Sequence, residues 1–175
     1  MTAPEFSRAE RIDTIGARER SVRIAADERE RAGLARRFDL IGVERLEAEF
    51  TLRAEAGGVI ATGRVTGAVV QACSATGEPL PATVDEAVSL RFVPELLAGD
   101  EEVELSPDAL DTLPIEDGII DLGEAAAETL ALALDPFPRS PDAAAKLAAA
   151  GVMDESEVGG PLASALADLK RKLEE

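Results

Sequence analysis

The chain has 175 residues, enough for one domain with a buried core and tails, and it contains no histidine, tryptophan or tyrosine and a single cysteine, Cys73. That inventory excludes Ser/His/Asp and Cys/His nucleophilic sites, an internal disulfide, and a metal site with four His/Cys ligands. A net charge of −17, from 18 basic and 35 acidic residues, disfavours broad contact with phosphate backbones and favours basic proteins.

The charge is unevenly spread. Residues 1–37 hold nine basic residues against seven acidic ones, whereas residues 92–138 hold no Lys or Arg and thirteen Asp and Glu. No stretch is apolar for long enough to span a bilayer and nothing resembles a signal peptide, so the expectation is a cytoplasmic protein without membrane contact.

In chain order, residues 8–12 and 21–24 are β-compatible pieces separated by Gly16, expected to form a strand, a turn and a second strand. Asp27 is placed to cap a helix through Arg37, with Ala32, Leu34 and Ala35 as its apolar members. Arg29, Arg36 and Arg37 can line one side of that helix and form the one cluster of positive charge, a candidate contact for an anionic partner such as RNA. A solvated face laced with ion pairs is the plainer reading.

Residues 45–53 alternate, with Leu46, Ala48, Phe50 and Leu52 inward and Arg45, Glu47, Glu49 and Thr51 outward. Gly57 and Gly58 turn the chain into a second alternating run, Ala61 to Val69. The turn around residues 74–79 returns it through Ala82, Val84, Val88, Leu90 and Phe92. Residues 44–93 therefore predict a three-stranded antiparallel meander with one wet face.

Residues 98–104 then form an acidic loop, and 106–117 read as irregular chain. Asp100, Glu101, Glu102 and Glu104 lack the spacing of a dedicated calcium loop and are candidates for binding a basic partner. Ile119 and Ile120 read as a brief buried strand. After them Asp121 caps a helix, with Glu124 completing a capping box and Leu122, Ala126, Leu130, Ala133 and Leu134 as its apolar stripe. Glu124 and Glu128 lie one turn apart on the opposite side. They are further partner-binding candidates, or, for a carboxylate-only hydrolase, an acid/base pair. Pro136 and Pro138 end this helix. Residues 142–175 read as an Ala-rich segment, an acidic linker and a short amphipathic helix carrying Leu162, Leu166, Leu169 and Leu173. The expected class is α+β, with an antiparallel sheet core, short N-terminal strands and flanking helices in one domain over 1–141.

The hairpin Gln71-Ala72-Cys73-Ser74-Ala75-Thr76-Gly77-Glu78-Pro79, the strand end Leu90-Arg91-Phe92-Val93-Pro94, and residues 120–124 leading to 130–138 occur in an order that resembles the YceD family of large ribosomal RNA subunit accumulation proteins. Phe6-Ser7-Arg8 and residues 26–32 resemble its alphaproteobacterial branch. The resemblance implies a non-enzymatic cytoplasmic factor needed for accumulation of large-subunit ribosomal RNA. Many relatives carry two cysteine pairs that look like a metal site. Here Thr76 stands where a Cys-x-x-Cys partner would be and residues 135–142 hold no cysteine, so zinc does not carry over and no cofactor is expected. The two regions must instead be held by packing, with Phe137 a candidate.

Charge and resemblance together favour a basic ribosomal protein or large-subunit assembly intermediate as partner, met by the acidic 92–138 region. Direct ribosomal RNA contact through Arg29, Arg36 and Arg37, a hydrolase using Glu124 or Glu128, and a purely structural subunit remain the alternatives.

Overall fold

The computed structural model describes residues 4–94 and 111–152. Ten elements follow in order: β1 (Ala9–Arg11), β2 (Arg20–Ala25), α1 (Glu28–Arg37), β3 (Gly42–Glu55), β4 (Gly58–Ala72), β5 (Pro79–Pro94), β6 (Asp111–Ile115), β7 (Ile119–Asp121), α2 (Leu122–Ala133) and α3 (Ala143–Ala149), with a short 3₁₀ turn at Ile12–Thr14.

The expected meander is present as β3, β4 and β5, in the register that sends Leu46, Ala48, Phe50 and Leu52 to the inner face. It is the centre of a larger sheet of order β2-β3-β4-β5-β6. The sheet is mixed rather than antiparallel, because β6 pairs parallel to β5, Leu90 opposite Asp111 through Pro94 opposite Ile115. Part of the segment read as irregular chain is thus a strand. The two N-terminal pieces are strands, but they do not pair with each other. β2 pairs with β3, and β1 pairs with β7 in a separate two-stranded ribbon. Residues 95–110 and 153–175, with the acidic loop and the Leu-bearing C-terminal stretch, lie outside the described residues.

Both longer helices cover the inner face. Asp27 accepts from the Glu30 amide while the Glu30 carboxylate accepts from the Asp27 amide, a reciprocal cap that starts α1. The apolar side of α1 differs by one position from expectation: Gly33, Leu34 and Ala35 are buried and Ala32 is exposed. In α2 the stripe is buried at Leu122, Ala126 and Leu130, whereas Ala133, at the helix end, is exposed. Leu130 packs directly over Gly67 of β4. Phe6, Phe50, Leu52, Ile120, Leu122 and Leu130 are among the bulkiest members of one continuous core. The opposite face of the sheet carries no element among the described residues. No helix there is long and apolar enough to cross a membrane.

Candidate functional site

A cleft of about 810 Å³ opens between the N-terminal segment, the β6–β7 turn and α2. Its charged lining is Glu5, Glu116, Asp117, Asp121, Glu124 and Glu128 with a single cation, Arg37. Phe92, Leu113, Pro114 and Ile119 supply apolar wall.

Each wall has a local cause. Asp117 and Gly118 both adopt positive φ, 50° and 73°, and the Ile119 amide donates to the Glu116 carbonyl at 2.8 Å. Two consecutive left-handed residues make the tight hairpin turn for which Asp-Gly is a preferred pair. That turn pushes the Glu116 and Asp117 carboxylates to the surface.

Asp121 is consumed internally. Its Oδ1 accepts from the amides of Arg8 (2.8 Å), Gly123 (2.9 Å) and Glu124 (3.1 Å), and its Oδ2 accepts from the Ser7 hydroxyl. One carboxylate therefore caps α2 and pins the N-terminal segment beside it.

The expected return contact of a capping box from Glu124 is replaced by a longer-range one. Both Glu124 oxygens accept from Arg37, Oε2 from Nη1 at 2.8 Å, and the same guanidinium lies 3.4 Å from Glu5. These partners hold the Arg37 pKa above its ordinary value, with the Glu124 hydrogen bonds the largest cause. Arg37 and Glu124, assigned from sequence to opposite kinds of partner, neutralise one another. Arg29 and Arg36 are exposed on α1, and Arg37 is turned away from them into the cleft. Glu128 is exposed on the cleft rim. Asp100, Glu101, Glu102 and Glu104 lie outside the described residues.

Glu5, Glu116 and Asp117 escaped sequence reasoning. Asp117-Gly118 before an apolar pair was the available signal for the second and third. Nothing local announces that residue 5 meets residue 37.

At the far end of the sheet, Cys73 is buried at the hairpin mouth. Among the described residues no cluster of three metal-ligating side chains surrounds it. Phe137, the expected packing contact, is 74 % exposed. Polar bonds join the two regions instead. The Ser74 amide donates to the Pro138 carbonyl (2.8 Å), the Ser140 amide to Cys73 Sγ (3.4 Å) and the Gln71 side-chain amide to the Asp135 carbonyl (2.9 Å), while Lys146 of α3 pairs with Glu78. The Thr76 hydroxyl and then the Ser140 amide draw the Cys73 thiol down to about 6, against the opposing effect of burial. A thiol depressed in the folded state stabilises the fold fully above the ordinary value of 9.0, and this contribution fades as pH falls to about 6. The melting temperature of wild type relative to Cys73→Ala is thus expected to rise across that window. A flat difference would show that Cys73 stays a thiol.

With that geometry in place, the comparisons decide the family. The model for the large ribosomal RNA subunit accumulation protein YceD matches residues 61–170, more than half of the chain. The chain belongs to the YceD family. The match starts within β4 and takes in the hairpin with Cys73, the acidic region and α2, so β2, α1 and β3 precede it. No curated protein and no solved structure matches the chain. The cleft lies largely within the YceD-matched part, joined to Arg37 and to the N-terminal segment outside it.

Proposed function

We propose that this YceD-family protein is a non-enzymatic cytoplasmic factor supporting accumulation of large-subunit ribosomal RNA by holding a basic segment of a ribosomal protein or assembly factor in the acidic cleft. The observation that carries the reading is a cavity with six carboxylates and one arginine, that arginine already engaged by Glu124 and Glu5. Apolar wall beside exposed acids suits lysine and arginine, whose stems bury while their heads stay wet. The field of such a cleft also speeds encounter with a basic partner, an effect that fades in salt. The family description supplies the link to large-subunit RNA.

The alternatives are weaker on specific grounds. A hydrolase built on Glu124 would need a free carboxylate oxygen, and Arg37 occupies both. An RNA contact through α1 loses Arg37 from its cluster.

The test replaces Glu116→Lys, Asp117→Asn and Glu128→Lys together, three exposed groups outside the internal bonds; asparagine is chosen at 117 because it tolerates positive φ. Wild type is expected to capture large-subunit ribosomal proteins from lysate at low salt and release them as salt rises, and the triple variant is expected to lose most of that capture. Equal capture by both proteins would overturn the assignment of the cleft.

A further inference from the structure

The face of the sheet that no described element covers has a net charge opposite in sign to that of the chain. Register partners share a face, so its side chains fall into rows across the strands. One row is made entirely of hydroxyls: Ser21 opposite Thr51, Thr51 opposite Thr62, Thr62 opposite Ser89. On one side of it lies the row Arg53, Ile60, Arg91, and on the other the row Arg23, Glu49, Arg64, Ala87. Four arginines thus frame a strip of hydroxyls; with Glu49, Glu55 and Asp85, which pair with Arg23, Arg53 and Arg64 from the same face, the local charge is +1 in a protein of net charge −17.

We propose that this face binds the sugar–phosphate backbone of RNA. Strand geometry sets the two arginine rows about 13 Å apart, with the hydroxyls midway, so a polyanion lying along the hydroxyl row meets guanidinium groups on both flanks. Guanidinium groups bond phosphate oxygens bidentately, and serine and threonine hydroxyls bond phosphates and 2′-hydroxyls. The carboxylates now engaging these arginines do not hold them. Arg23 meets Glu49 at 3.0 Å with the side chains 80 % and 52 % exposed, Arg64–Asp85 is similarly open, and Arg53–Glu55 is the more sheltered pair, at 45 % and 35 %. Exposed pairs of this kind contribute little, and a phosphate displaces them at small cost. Beside Arg23 and Arg64 a shallow depression of about 410 Å³ gives the strip some depth.

No aromatic side chain lies in these rows, so there is no platform for base stacking and binding is insensitive to sequence. The face is separate from the acidic cleft. One protein can thus carry a basic partner and touch RNA without the two charges cancelling.

The experiment titrates the full chain into fluorescein-labelled oligouridylate and oligoadenylate, with polyglutamate as competitor. Four neutralised phosphates on a single strand give a slope of about −2.8 in log K against log salt, so affinity is expected to fall about fifty-fold between about 50 and 200 mM salt. The two RNAs are expected to bind alike. Replacing Arg23, Arg53, Arg64 and Arg91 with glutamine should flatten the slope and weaken low-salt binding at least tenfold. Thr62→Glu, one exposed carboxylate in mid-strip, should weaken binding several-fold and serves if the quadruple variant fails to fold. Arg29→Gln with Arg36→Gln on α1 should leave affinity within twofold, and the cleft triple variant should not lower it. Absence of binding at low salt, loss only in the α1 variant, or equal displacement by polyglutamate, which would make the face a site for acidic proteins, overturns the proposal.

Discussion

Gly63→Ala is expected to destabilise the protein by roughly 4 kcal/mol, a loss reserved for substitutions that collide with fixed structure. A Cβ at Gly63 would stand 1.9 Å from the Glu49 carbonyl oxygen, 2.9 Å from its carbon and 3.0 Å from Phe50 Cα. All three are backbone atoms of β3, the neighbouring central strand, and no rotamer change relieves the contact. Phe50 itself is fully buried, so moving β3 aside opens the core. For a chain of this length the loss corresponds to a fall in melting temperature of about 10 °C. Gly42→Ala is the control. Its added Cβ meets nothing within 4 Å, and stability is expected to change by less than about 0.5 kcal/mol. If the two variants melt together, the β3–β4 register described here is wrong.

The same glycine shows what sequence makes legible. Alternation alone placed Gly63 on the inner face with Ala61, Val65 and Val69, and it is there. The meander was readable because each strand is long and its neighbour follows within a few residues, so pattern and turn signals agree. α1 and α2 were readable for the same local reason, each beginning at an aspartate that does cap it.

What escaped was long in sequence or short in length. β6 has five residues, contains Pro114, and pairs parallel across a connection from β5. Proline demotes a strand to an edge, and Pro114 sits on one. β1 and β7 have three residues each and find each other across more than a hundred positions. Both read as strands from sequence, but three residues carry no pattern that would show which partner each pairs with. The cleft inherits this difficulty, since its parts come from the N-terminal segment, the end of α1, the β6–β7 turn and α2. Charge counting marked Glu124 and Glu128 alike; Glu128 is exposed, but nothing in the count could show that Arg37 closes on Glu124. At the hairpin, the presence of a single cysteine was legible, and the polar bonds that join the hairpin to residues 135–146 were not. Ser140 reaches Cys73 through its backbone amide, which any non-proline residue possesses.

Asp121→Ala is expected to cost roughly 3 kcal/mol and to disable the cleft as well. The substitution removes a helix cap, worth about 1 kcal/mol, and strands the Arg8, Gly123 and Glu124 amides that the carboxylate accepts from, each loss enlarged because the acceptor is charged. The Arg8 bond matters most to function, because with the Ser7 hydroxyl it ties the N-terminal segment, including fully buried Phe6, against α2. Once that tie is cut, the wall that carries Glu5 depends on the short β1–β7 ribbon, the hydrogen bond from the Leu122 amide to the Arg8 carbonyl, and the part-exposed Arg8–Glu30 and Arg37–Glu5 pairs. Asp121→Asn separates the two roles of the side chain. Its carbonyl oxygen still accepts from the three amides, so only the charge and part of the Ser7 bond are lost, and the expected cost is about 1 kcal/mol. Urea unfolding should therefore rank wild type, Asn and Ala in that order. Capture of basic proteins should survive in the Asn variant and fail in the Ala variant at temperatures where both remain folded. Capture lost equally in both would mean that the negative charge of Asp121, and not the wall it anchors, is what the partner meets.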